Sequence, residues 1–95
     1  MAILCWSPRA RRELNAALAY VAEDNIEQAA TVYQRIDQAT AHLRNHPAMG
    51  RQGRIPGTRE LVIPRTSFIA IYTVRQGVVR IVSLHHASRQ WPTDI

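Results

Sequence analysis

The sequence predicts an α+β domain in which a helical hairpin packs on one face of a small, largely antiparallel sheet, in the order β-α-α-β-β-β. Three observations carry this. Apolar residues recur with helical period from Leu14 to Leu43, runs of strand-forming residues follow Arg59, and a stretch punctuated by glycine and proline, 50–57, separates the two. A chain of 95 residues holds one domain with one core, residues 1–95, and has no room for a full dinucleotide-binding fold.

Ile3 to Trp6 reads as a short first strand. Ser7-Pro8 is a helix start, because serine accepts free N–H groups of the first turn and proline is pre-set for the first helical position. Leu14, Ala17, Leu18 and Val21 then form one apolar stripe. Asn25 followed by Gln28 resembles a capping box and opens a second helix, whose stripe is Ala29, Val32, Tyr33, Ile36, Thr40 and Leu43. That helix is expected to stop at Asn45-His46-Pro47, and both stripes are read as core, with Leu18 and Ile36 at their centres. Gly50 to Gly57 is expected to be a loop. Strands follow at Arg59 to Ile63, Phe68 to Arg75 and Val78 to His85, the last two joined as a hairpin by Gln76-Gly77.

Twelve Lys+Arg, all of them arginine, face seven acids, for a net charge of +5. Residues 1–50 are balanced, so the whole excess lies in residues 51–95, where seven arginines meet only Glu60 and Asp94. An arginine-rich half suits phosphate or carboxylate partners. The single cysteine, Cys5, excludes an internal disulfide, and no stretch is apolar for long enough to span a membrane or serve as a signal peptide. The expectation is a cytoplasmic protein without cofactor, metal or membrane partner. His42 and His46 have the i, i+4 spacing of metal ligands, but no third ligand is specified.

Several residues could carry chemistry. Arg51 and Arg54 lie in the glycine-rich loop as a candidate clamp for an anion, and reversing either charge is expected to leave stability nearly unchanged. Arg59 and Glu60 are adjacent on a strand and point to opposite faces, with Leu61 and Ile63 on the Arg59 side. His85 and His86 close the last strand, also on opposite faces, with Arg89 and Trp91 just beyond; a histidine beside an arginine could serve acid–base chemistry on a phosphodiester. Trp91-Pro92 reads as a C-terminal anchor.

Taken together, Trp6-Ser7-Pro8-x-Ala10, Pro47-x-Met49-Gly50-Arg51-x-Gly53-Arg54, Gly57-Thr58-Arg59-Glu60-Leu61-Val62, Tyr72-x-Val74 and His85-x-x-x-Arg89-x-Trp91-Pro92 resemble the RelE/ParE superfamily of bacterial type II toxins. The resemblance runs through nearly the whole chain. It implies a β-α-α-β-β-β toxin, held in a toxin–antitoxin hetero-oligomer by a cognate antitoxin whose extended, often acidic segment wraps it. RelE-like members cut messenger RNA on the ribosome, using basic side chains on the second and third strands; here those stretches read Leu61-Val62-Ile63 and Ile69-Ala70-Ile71. The Gly-Arg-x-Gly-Arg and Arg-Glu-Leu-Val strings are similar to the ParE group, which poisons DNA gyrase, and this is the leading expectation. Arg51, Arg54, Arg59, Arg89 and Trp91 are then the expected surface for target or antitoxin. The alternative is a ribosome-dependent endoribonuclease using some of Arg59, Glu60, Arg80, His85 and His86.

Overall fold

In the computed structural model, which describes residues 1–95, the chain runs β1 (Ile3–Trp6), α1 (Pro8–Asp24), α2 (Ile26–Ala41), a 3-10 turn (His42–Arg44), β2 (Arg51–Gln52), β3 (Arg59–Val62), β4 (Phe68–Arg75) and β5 (Val78–His86). Ser7 starts α1: its Oγ accepts from the Ala10 N–H at 3.0 Å, and Pro8 takes the first helical position. Asn25 both ends α1 and opens α2. Its N–H donates to the Val21 carbonyl at 3.0 Å, and its Oδ1 accepts from the Gln28 N–H at 3.0 Å. Only this half of a capping box forms, because the Asn25 N–H already serves α1.

The core lies between the helical hairpin and one face of the sheet, with Leu14, Val32, Ile36, Leu61, Tyr72 and Ile81 among its buried members. Burial fades toward the turn of the hairpin. Ile36 is fully enclosed, Leu18 is only partly buried against the core's edge, and Tyr20 and Ile26 are exposed. Tyr33 is about half exposed, so the α2 stripe is narrower than its periodicity predicts. The α-helix itself ends at Ala41, short of the expected Asn45; the chain tightens into the 3-10 turn, which keeps Leu43 in the core.

The sheet has the order β1-β5-β4-β3-β2, antiparallel throughout except that β1 runs parallel to β5. Gln76 and Gly77 both have positive φ, 51° and 77°, the two-residue turn whose twist suits a hairpin. The fifth strand, β2, falls where a loop was expected. Pro56 and Gly57 (φ 82°) occupy the central positions of a turn closed by the Thr58 N–H on the Ile55 carbonyl, so residues 51–59 fold back as a short hairpin. The glycine and proline mark a turn between strands there, and Arg51 and Gln52 are ladder residues opposite Glu60 and Arg59.

A bulge changes the phase of β5. Ile71 pairs with Ser83 and Tyr72 with Ile81, leaving Val82 without a counterpart, so Ile81 and Leu84 both reach the helix-side core. Ser83 and His85 consequently share the far face with Ile69 and Ile71. β1 ends at Trp6 opposite Ile81, and beyond that point α1 supplies what the missing neighbour would: Glu13 Oε1 accepts from the Leu84 N–H at 3.1 Å and the Ser83 hydroxyl at 2.9 Å. No helix is long and apolar enough to cross a membrane.

Candidate functional site: the cationic far face of the sheet

The site begins with the segment that feeds it. Tyr72 is fully buried in β4, and its hydroxyl accepts from the Gly50 N–H at 2.8 Å while donating to the Pro47 carbonyl at 2.8 Å. Burial raises the Tyr72 pKa above the usual phenol value, with the Gly50 N–H and the Arg59 charge pulling the other way. Arg59, on the same face of the sheet, donates to the Gly50 carbonyl at 2.9 Å. Gly50 must be glycine, since a Cβ there would sit 2.6 Å from the Tyr72 hydroxyl and 2.8 Å from the Glu60 carbonyl. Gly53 is equally confined by Thr58, whose carbonyl would lie 2.8 Å from an added Cβ. These contacts fix how the 50–54 segment enters the far face.

There Glu60 is the central charge, with only 1% of its side chain exposed. Oε1 accepts from Arg51 Nε at 3.0 Å, Oε2 accepts from the Arg54 backbone N–H at 2.8 Å, and Arg54 Nε lies 3.8 Å from Oε1. The Arg54 guanidinium continues over Trp91, its carbon 3.8 Å from the ring centroid. Trp91 in turn meets His85 edge-on, with centroids 4.6 Å apart. His85 Nε2 lies 3.1 Å from the Arg89 carbonyl. A carbonyl only accepts, so Nε2 carries the proton of a neutral ring. Burial, helped by the Arg54 charge, holds the His85 pKa below its usual value against the opposing pull of that carbonyl. Two pairs of residues distant from each other in sequence thus form one stack, Glu60–Arg54–Trp91–His85, which straps the C-terminal segment across the sheet. A second tie holds that segment to α1, where Arg9 Nη1 donates to Asp94 at 2.9 Å and draws its carboxyl pKa down.

The structure therefore brings Arg51, Arg54, Glu60, His85 and Trp91 together and leaves the other candidates apart. Arg59 sits on the helix side, held by loop carbonyls. His86 also lies on that side, edge-on to Phe68 at 5.3 Å, its Nδ1 accepting from the Ser88 N–H at 3.2 Å. Arg80 is exposed on the far face but lies farther along β5, in register with Cys5 and Thr73 and away from the Glu60–Trp91 cluster. Arg89 contributes its carbonyl, and its side chain is exposed. One expectation changes with this geometry. Arg51 and Arg54 counter a buried carboxylate, so reversing either charge disturbs folding and cannot probe surface electrostatics alone. Glu13 and Tyr72 were not singled out by sequence for their polar roles. The contacts of Glu13 lie 70 and 71 residues away, whereas a tyrosine ending the apolar run Ile69-Ala70-Ile71 was a readable sign of a hydroxyl needing partners.

This arrangement, a helical hairpin on a five-stranded sheet with a cationic far face, defines the class: the chain has the fold of the RelE/ParE toxins. It superposes on a chain of the chromosomal ParDE toxin–antitoxin system from P. aeruginosa with a TM-score of 0.82 and 26% identity, covering 93% of this chain and 98% of that one. A chain of the intact E. coli RelBE toxin–antitoxin complex shares the fold at 16% identity and a TM-score of 0.70, with 94% and 100% covered. At the sequence level, "Putative toxin Y4kP" of Sinorhizobium fredii is 41% identical over 87 residues, 92% of this chain and 90% of that protein. The family profile "ParE toxin of type II toxin-antitoxin system, parDE" matches residues 4–91, and the chain belongs to that family.

Proposed function

We propose that this chain arrests growth by poisoning DNA gyrase, acting in the cytoplasm, and that a cognate antitoxin neutralises it in a hetero-oligomer. The observation that carries this reading is the dispersal of every group that could move a proton or hold a phosphorane. Glu60, His85 and Arg80 lie on the far face, but Arg80 is opposite Thr73 near the β4–β5 turn while His85 is opposite Ile69 at the other end of β4, and Arg59 and His86 lie on the helix face. On the one shared face, Glu60 is already neutralised by two arginines, and His85 is buried with its Nε2–H held by a carbonyl. Such groups hold a surface in shape rather than turn over a substrate. The strand positions at which RelE-like nucleases present cations are Leu61, Val62, Ile69, Ala70 and Ile71 here, of which only Val62 is exposed.

Arg51, Arg54, Arg89 and the Trp91 edge of the strap are the proposed contact surface for gyrase or antitoxin. The antitoxin segment that fits it carries acidic and apolar side chains. The test is a pair of assays on the purified chain: plasmid supercoiling with gyrase, scored for double-strand breaks, and translation extracts, scored for cut messenger. Gyrase-dependent breaks with intact messenger are expected. Messenger cleavage on ribosomes that disappears in a folded His85 or His86 variant would replace this reading with the nuclease.

A further inference from the structure

On the helix side, away from the strap, a half-open cavity of about 170 Å³ is lined by Arg35, Gln38 and Ala39 of α2, His42 of the 3-10 turn, and Pro64 and Arg65 of the β3–β4 connection. Two arginines and a histidine line it, and no acidic residue does. The nearest acid in sequence, Asp37, lines a different depression with Trp6, Arg11 and Tyr33. Arg35 Nη1 donates to the Arg65 carbonyl at 2.9 Å, which ties the two elements together while leaving four guanidinium N–H groups for other work.

Pro64 and Arg65 occupy the central positions of a turn closed by the Thr66 N–H on the Ile63 carbonyl at 3.3 Å, and the Arg65 φ of 60° is the positive value such a turn takes at its second central position. That turn presents Arg65 beside Arg35 in a cavity wall that holds no acid, and such a lining suits an anionic ligand. The size suits one tetrahedral oxyanion. No wall of apolar or aromatic side chains is present to receive a base or a sugar.

We propose that Arg35, His42 and Arg65, with the Gln38 amide, form a binding site for a single phosphate group. Arginine donors in forked pairs match phosphate oxygens, and Gln38 supplies a neutral donor to the same ligand. The site is independent of the gyrase reading, since it uses none of the strap residues and can be measured without any toxin target.

The experiment uses the full chain, titrated by NMR with inorganic phosphate and, separately, with a duplex DNA oligonucleotide at several salt concentrations. Arg35→Gln and Arg65→Gly are the variants, with Arg12→Gln as an arginine control outside the cavity. Arg65→Gly relieves the positive φ, so its thermal midpoint stays level or rises, and loss of binding in it is not loss of fold. Phosphate-induced shifts centred on residues 35–42 and 64–65, weakened about tenfold in both variants and unchanged in the control, support the site with free phosphate as its source. A duplex affinity whose salt slope falls by about one in each variant supports it with a backbone phosphate as the source. Shifts by neither ligand, or equal shifts with acetate at matched ionic strength, overturn it.

Discussion

Tyr72 ties the 47–50 segment to the core through two hydrogen bonds at one hydroxyl, accepting from the Gly50 N–H and donating to the Pro47 carbonyl. Tyr72→Phe keeps the ring but strands the Gly50 N–H and the Pro47 carbonyl. Chemical denaturation should show a loss of about 1–3 kcal/mol. His85 gives a pH signature of opposite character. Its folded pKa lies below the ordinary 6.5, so the neutral ring's contribution is complete above that pH and is lost as pH falls and the unfolded chain takes up the proton first. The thermal midpoint should therefore decline from pH 7 toward pH 5. In His85→Asn that part of the decline should be absent; an unchanged decline would mean that His85 is not the group responsible.

At the scale of elements, helix starts and the β4–β5 turn were legible because each depends on two or three adjacent residues: Ser7-Pro8, Asn25 with Gln28, Gln76-Gly77. The strand at Arg51–Gln52 was not, because two residues carry no periodicity and their ladder partners come from β3. Nor was the strap. The adjacency of Arg54 to Trp91 arises only after β5 has brought the C-terminal segment across the sheet, and no spacing in the sequence encodes it. The helical stripes were read correctly in direction but too evenly in depth. Ile36→Ala should cost roughly 2–5 kcal/mol, since it empties an enclosed site. Leu18→Ala should cost clearly less, because its neighbourhood is open on one side. Equal losses in denaturant titrations would mean that the hairpin turn is covered in solution.

Over the whole molecule, the charge split seen in the sequence becomes a difference between surfaces. Part of the excess of the second half is internally countered, Arg51 and Arg54 by Glu60, while Arg80 and Arg89 remain exposed. Association with an acidic antitoxin segment should therefore weaken with added salt mainly through a slower on-rate, as solvated charges steer encounter more than they hold the bound state. Stopped-flow measurements at two ionic strengths would separate the rates, and a salt effect confined to dissociation would contradict this picture.

The parallel pairing of β1 with β5 joins residues 3–6 to residues 78–81. During synthesis β1 waits for β5, and Glu13 waits with it for Ser83 and Leu84. Until β5 has emerged, the nascent chain has helices but no closed sheet, no strap and no assembled cationic face. A message cut short before β5 thus yields a fragment without the surface proposed for the target.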